Sequence, residues 1–255
     1  MSFDGLRLVH PLRLGLALAV VLAGACERSS PPSEPLTLAQ IDGGDAAKAS
    51  GKKLMSLPFG LHRLDTTSPA PDAAVIGVHG YDSEGYEWAY PLKATDSTDT
   101  RVYFHRYDFT QCPEPMAKAL DDAIDRLLAD DPGLKSLRLL SHSYGGIVST
   151  MVAARYDGRV PLTVDVVASP LAGAPRMSER CSYEGPSAPA EGVTLRQWRT
   201  IHELDKALDD IEPDPQVVDL PGQVTRLPDS YEGHRLGHNW SISWVVDELA
   251  GGTKP

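Results

Sequence analysis

The stretch Leu137–Gly146, which reads LRLLSHSYGG, decides the fold. It opens with an apolar run typical of a strand buried in a sheet. It ends in small residues, and an apolar helical pattern follows from Ile147 to Tyr156. Ser143 stands between the two, so we predict a tight turn from strand to helix with a serine at its apex. The N-terminal dipole of such a helix favours an anion that develops beside the serine.

The same alternation of strands and helices continues on both sides of this turn. Apolar residues at helical spacing from Met116 to Leu128 predict an amphipathic helix. The continuous apolar run Ala73–His79 predicts a buried strand, and further strands are predicted at Thr100–Tyr107, Leu162–Ala168 and Arg196–His202. Repeated units of this length predict the α/β fold class, with a mainly parallel central sheet flanked by helices. Ligands of such sheets lie beyond the carboxyl ends of the strands, so we expect the site residues there.

The turn around Ser143 resembles the nucleophile elbow of the α/β-hydrolase family, usually written G-x-S-x-G. Gly145 fits that pattern, whereas Ser141 replaces its first glycine with another small residue. The resemblance implies an α/β-hydrolase fold in which Ser143 is the catalytic nucleophile. The stretch Ser169–Pro175 is similar to a loop of lipases in this family, and the short segment after it predicts little or no cap domain.

A second motif lies upstream, where His79 and Gly80 end the first apolar strand. This pair is similar to the His-Gly element that forms the oxyanion hole in lipases of the α/β-hydrolase family. By that resemblance, the backbone N–H groups of Tyr81 and Tyr144 would hold the oxyanion of the tetrahedral intermediate.

The resemblance also implies a base on a loop before the last helix and an acid after a late strand. His238 occupies the loop position, and His234 is its competitor. Asp205 follows the late strand, but the segment 203–214 is crowded with carboxylates and Asp214 is the main rival. The chain order Ser143, Asp205, His238 is the order that this family uses.

Such a triad implies a serine hydrolase that cleaves carboxylic esters, of lipase or esterase type, through an acyl-enzyme and without a cofactor. The expected substrate is a small-molecule or lipid ester. The same triad serves peptidases, thioesterases and acyltransferases, and a non-catalytic hydrolase-like binding protein is the alternative from a different class. The oligomeric state stays open.

The chain has three cysteines, and the export predicted below would place them in an oxidising compartment. Cys112 and Cys181 are most simply a disulfide, since two thiols of one exported domain tend to pair. The chain has no Cys-x-x-Cys motif, and the spacing of His234 and His238 is weak support for zinc, so we expect no metal. The third cysteine, Cys26, belongs to the N-terminal segment.

Residues 1–25 predict a secretory signal peptide, because charged residues precede the uncharged apolar run Leu14–Ala25. This run is too short for a membrane-spanning helix. The sequence from Leu22 to Cys26 resembles a bacterial lipobox, which predicts a lipid on Cys26 and an exported, membrane-anchored lipoprotein. The same residues also fit Ala-x-Ala cleavage, which would release a soluble protein.

Two further boundaries follow from composition. Residues 26–53 are rich in Ser, Pro, Gly and charge, and they predict a flexible tether. Residues 54–255 then form the α/β-hydrolase domain. The formal net charge is −11, so the field around the molecule would repel nucleic acid, and we exclude that partner class.

Overall fold

The computed structural model describes residues 35–65 and 71–251 of the chain. The predicted signal peptide, residues 1–25, and the predicted lipidation site at Cys26 lie outside the described residues. Within the two described ranges, no helix has the length and hydropathy needed to cross a membrane.

Strands and helices alternate along most of the described chain. The strands are β1 (Gly60–Arg63), β2 (Ala73–Val78), β3 (Thr100–Arg106), β4 (Ser136–His142), β5 (Leu162–Val167), β6 (Val193–Arg199), β7 (Gln223–Arg226), β8 (Ser230–Tyr231) and β9 (His234–Arg235). The helices are α1 (Ala47–Met55), α2 (Tyr86–Ala94), α3 (Pro113–Asp130), α4 (Tyr144–Arg155), α5 (Pro175–Cys181) and α6 (Ser241–Leu249).

Seven of these strands form one sheet in the order β1-β3-β2-β4-β5-β6-β7, and β8 and β9 form a separate hairpin. All neighbours from β3 to β7 pair in parallel, whereas the edge strand β1 is antiparallel to β3. The predicted α/β class with a mainly parallel sheet is therefore confirmed. The carboxyl ends of β2, β4, β5 and β6 lie along one edge, which is where the candidate residues were expected.

Helices cover both faces of the sheet. On one face α3 and α4 bury Leu120, Ile124 and Ile147 against the strands. On the other face α1, α2 and α6 contribute Leu54, Trp88 and Val245 to a second buried cluster. Full burial of each large apolar side chain stabilises the fold by roughly 1.5–3 kcal/mol. Between β5 and β6 the structure has α5 as its one helix, so that segment forms no separate cap domain.

The predicted tether, residues 26–53, differs from the structure over its described part. From residue 35 onward this segment packs on the domain: Leu38 and Ile41 are buried, and α1 begins at Ala47. The N–H of Leu38 also bonds to the carbonyl of Leu64. These two buried side chains hold the segment on the domain, although the surrounding Gly and charged residues give the sequence no sustained apolar period.

The predicted strand Arg196–His202 also differs from the structure. The strand observed there is β6, Val193–Arg199, which lies three residues earlier, and His202 lies in a short 3₁₀ turn. The sequence patterns did not predict the edge strands β1 and β7. Their side chains are largely exposed or half-buried, so they carry no continuous apolar run.

Candidate active site

Ser143 stands at the predicted turn between β4 and α4. Its backbone has φ 53° and ψ −124°, a conformation that side-chain-bearing residues rarely adopt. The first turn of α4 packs closely on β2. A methyl group at Gly145 would lie only 2.3 Å from the carbonyl oxygen of Val78, so this position has no room for a side chain. The strained backbone is thus held by tight packing, an arrangement typical of functional residues.

Ser141 shows how this chain accommodates the departure from the usual glycine. The side chain is fully buried, and its hydroxyl donates a hydrogen bond to Ser149 Oγ at 2.6 Å. The polar group is therefore satisfied inside the protein, and a serine fits where the motif usually has a glycine.

His238 lies on the loop before α6 and is paired with Asp205. Its Nδ1 is 2.9 Å from one carboxylate oxygen of Asp205 and 3.0 Å from the other. Asp205 is completely buried, and it also accepts hydrogen bonds from Thr200 Oγ1 and from the backbone N–H of Ala207. Burial opposes ionisation of this carboxyl group, but the hydrogen bonds outweigh it, and the pKa of Asp205 is lowered.

The two rivals from the sequence lie elsewhere. Asp214 accepts a hydrogen bond from the backbone N–H of Gln216, and its carboxylate is not among the partners of His238. His234 belongs to the β8–β9 hairpin, where its exposed ring stacks on Trp240. The structure thus brings together Asp205 and His238 rather than either rival.

His142 is a neighbour of the site whose contact the sequence did not reveal. Its Nε2 donates a hydrogen bond to the backbone carbonyl of His238 at 3.0 Å, and the two rings lie 4.6 Å apart. Ser241 Oγ donates to the same carbonyl oxygen. Burial, followed by the nearby His238, lowers the pKa of His142 to about 3, so its ring is neutral. The sequence places His142 beside Ser143, which marks it as a candidate neighbour of the site. Its partner His238, however, is 96 residues further along the chain, so the contact itself has no local pattern.

The loop after β2 approaches Ser143 through its backbone. A methyl group at Gly80 would lie 2.9 Å from Ser143 Cβ, so this position requires a glycine. The N–H of Tyr81 makes no hydrogen bond with the residues that the structure describes. The N–H of Tyr144 is the first of α4, where N–H groups have no acceptor within the helix. Both predicted oxyanion donors therefore lie near Ser143 and have no hydrogen-bond acceptor among the described residues.

His79 orients this loop. Arg106, which can only donate, bonds to His79 Nε2 at 3.0 Å, so the ring proton is on Nδ1, which donates to the carbonyl of Gly80 at 2.9 Å. The carbonyl of Gly80 and the N–H of Tyr81 belong to one trans peptide and point in opposite directions. The bond to His79 thus fixes the direction of the Tyr81 N–H. Burial lowers the pKa of His79 to about 3, which keeps the ring neutral.

Two cavities meet at the site. A small cleft of about 140 Å³ is lined by Gly80, Tyr81, Asp82, Ser83, Glu84, Tyr86, Glu87, His142, Ser143, His238 and Asn239. A larger cavity of about 580 Å³ adjoins it. The two cavities share four wall residues, namely Tyr86, Glu87, His238 and Asn239. The larger cavity is also lined by Gly43, Gly44 and Ala47, so the segment that was predicted to be a tether helps to build it.

The structure contains the predicted disulfide between Cys112 and Cys181, with Cα atoms 5.5 Å apart. It joins the N-cap of α3 to the last residue of α5. The carbonyl of the adjacent Gln111 accepts a hydrogen bond from Tyr144 Oη at 2.6 Å. The disulfide therefore anchors a loop that contacts the residue after Ser143.

Solved structures with a similar fold include several hydrolases. Est1E from Butyrivibrio proteoclasticus has a TM-score of 0.52 and 10% identity over 74% of this chain and 89% of its own. Carboxylesterase CesB from Bacillus subtilis has a TM-score of 0.46 and 15% identity over 81% and 97%. A putative α/β-hydrolase from Agrobacterium tumefaciens has a TM-score of 0.48 and 11% identity over 74% and 87%. At 10% identity, the likeness to Est1E extends to the fold alone.

Curated proteins provide no match to this chain. The family model described as the alpha/beta hydrolase family matches residues 75–248, which is more than half of the sequence and includes Ser143, Asp205 and His238. With that match and the seven-stranded, mainly parallel sheet, the chain belongs to the alpha/beta hydrolase family.

Proposed function

We propose that this protein is a serine hydrolase that cleaves carboxylic esters through Ser143, His238 and Asp205. The observation that carries the proposal is the pair of distances from His238 Nδ1 to the Asp205 carboxylate, with Ser143 and His238 in the wall of one cleft. A serine hydroxyl is a weak nucleophile at neutral pH, and it needs both an adjacent base and an acid that orients that base.

The proposed reaction proceeds in two halves. Ser143 Oγ forms a bond to the ester carbonyl carbon, and His238 Nε2 takes the hydroxyl proton. The C–O bond to the alcohol then breaks, and His238 returns the proton to the departing oxygen. Water repeats the cycle on the acyl-enzyme, which releases the acid and regenerates Ser143.

Three groups stabilise the charges that develop. Asp205 is kept ionised by its hydrogen bonds, so it holds His238 in the productive tautomer and stabilises the imidazolium. The N–H groups of Tyr81 and Tyr144 donate to the oxyanion, and loss of one such donor costs about 3 kcal/mol of transition-state stabilisation in other enzymes.

Labelling with a fluorophosphonate tests the nucleophile. We expect strong labelling of the parent protein, and its loss in folded Ser143→Ala and His238→Ala variants. Ester turnover should fall by about a thousandfold or more in both variants. Asp214→Asn is the matched control for Asp205→Asn, because it removes the charge of the rival carboxylate.

The results separate the alternatives. A well-folded parent that neither labels nor hydrolyses esters would contradict catalysis and favour a binding protein. Comparable turnover of amides and esters would favour a peptidase, and transfer of the acyl group to an added alcohol would favour an acyltransferase. Asp214→Asn losing activity while Asp205→Asn retains it would reverse our assignment of the acid.

We also propose that the protein is exported and anchored to a membrane by a lipid on Cys26. The short apolar run before this cysteine and the disulfide between Cys112 and Cys181 support an oxidising destination. Incorporation of labelled palmitate into the parent, but not into Cys26→Ser, is the expected outcome in a bacterial host. A parent that is found without lipid in the culture medium would favour release by ordinary signal cleavage.

A further inference from the structure

The cavity of about 580 Å³ has a wall composition that ester hydrolysis alone does not require. Four aromatic side chains line it, namely Tyr86, Tyr90, Tyr231 and Trp240. The last two pack edge to face with ring centres 6.3 Å apart. Aromatic faces carry partial negative charge, so a cavity lined by several rings can bind either an apolar group or a cation.

Carboxylates around the tyrosines favour a cation. Tyr90 Oη and Tyr231 Oη each donate to one oxygen of Asp247, both at 2.5 Å. The hydrogen bond from Tyr90 to Asp247 is the main cause that raises the pKa of Tyr90 to about 12, and the charge of the exposed Glu232 raises it further. One carboxylate therefore lies behind two rings of the wall and adds negative potential to them.

Glu87 provides a second, independent observation. It is 7% exposed and lines both the large cavity and the Ser143 cleft. Ser83 Oγ donates to Oε1, but Oε2 has no hydrogen-bond partner among the residues described. Burial raises the pKa of this carboxyl group, and a positively charged ligand in the adjoining cavity would favour its ionised form and offset the cost of the unpartnered oxygen.

Two basic residues also line the cavity, but they are exposed. Lys206 is paired with Asp209, and Arg235 lies on the surface of the β8–β9 hairpin. Solvent screens exposed charges much more strongly than buried ones. Glu87, by contrast, is buried where the two cavities adjoin, so its charge responds strongly to what binds beside it.

We propose that this cavity binds an ammonium group, and that the preferred substrates are esters that carry a quaternary or protonated ammonium near the bond to be cleaved. The specificity for esters rests on the function proposed above, whereas the ammonium site does not. His238 and Asn239 line both cavities, so one molecule can have its ester at Ser143 and its cation between the aromatic rings.

A pair of isosteric substrates tests the proposal. The full-length protein is assayed with butyrylcholine and with its uncharged isostere, 3,3-dimethylbutyl butanoate. We expect kcat/KM to be about tenfold higher for the cation, as a desolvated cation among aromatic rings implies. Glu87→Gln should reduce this ratio severalfold. Glu191→Gln is the matched control, because Glu191 is exposed on the loop before β6, and it should leave the ratio unchanged.

Equal kcat/KM values for the two esters in the parent would overturn the ammonium site and leave ester hydrolysis intact, and this comparison needs no variant. A ratio that Glu87→Gln and Glu191→Gln change equally would overturn the role of Glu87. A binding measurement separates the two proposals: choline, but not 3,3-dimethyl-1-butanol, should change the tryptophan fluorescence of the parent. That result without any ester hydrolysis would support the ammonium site and contradict the hydrolase.

Discussion

At the scale of single residues, close packing and neutral histidines position the groups around Ser143. Gly80 and Gly145 permit approaches that a side chain would block. The two buried histidines at 79 and 142 are both neutral, so each can donate one defined hydrogen bond to a backbone carbonyl. One of these bonds orients the Tyr81 N–H, and the other holds the His238 loop. Preorganisation of this kind lowers the cost of reaching the transition state.

His142 gives a prediction at this scale. His142→Phe keeps a ring of similar size but removes the donor to the His238 carbonyl, which leaves Ser241 Oγ as the other donor described. Loss of one such bond costs about 1 kcal/mol, so kcat should fall roughly fivefold with little change in KM. His142→Gln can still donate and should recover part of kcat. Steady-state kinetics on both variants checks this, and equal kcat values for Phe and Gln would refute the positioning role.

At the scale of elements, the N-terminal segment is part of the catalytic domain. Helix α1 packs on α2 at Gly51, and α2 supplies Tyr86 and Glu87 to both cavities. The ammonium of Lys93 also donates to the carbonyl of Ile41, which ties the chain before α1 to α2. Any movement of α1 would therefore change the shape of the larger cavity.

The contact at Gly51 gives the second prediction. Replacement of a helical glycine by alanine ordinarily stabilises a protein by about 1 kcal/mol. At Gly51 the new methyl carbon would lie 2.4 Å from the backbone nitrogen of Tyr86, so we expect destabilisation of roughly 1–3 kcal/mol. Gly44→Ala is the control, because its nearest neighbour is 3.4 Å away. Urea unfolding measures both, and a Gly51→Ala variant as stable as the parent would show that α1 is not closely packed.

The elements also show which features a sequence can predict. Strand β2 is central and buried, so it appears as a continuous apolar run. Strand β4 keeps three leucines around Arg138, and the amphipathic α3 shows its helical period. Edge strands lack such runs. Asp205 could not be separated from Asp214 by spacing, because only the folded chain shows which carboxylate is buried against His238. The His142 contact joins two distant loops and has no local pattern.

At the scale of the whole molecule, buried histidines couple stability to pH. Burial is the main cause that lowers the pKa of His79 and His142 to about 3 and that of His105 to about 4. An unfolded histidine has a pKa near 6.5, so between these values the unfolded chain binds more protons than the native one. The stability contribution of each neutral histidine is complete above about pH 6.5 and is lost as the pH falls toward 3–4.

His105 allows the last prediction to be isolated, because neither ring nitrogen has a hydrogen-bond partner among the described residues. The free energy of unfolding of the parent should fall between pH 7 and pH 5, with each histidine contributing at most about 1.4 kcal/mol per pH unit. His105→Phe removes one group that binds a proton on unfolding. The dependence of the unfolding free energy on pH should therefore become shallower by up to that amount. His234→Phe, at an exposed position, should leave the slope unchanged. Urea unfolding at several pH values provides the measurement, and identical slopes for the parent and His105→Phe would mean that His105 is not buried as a neutral ring.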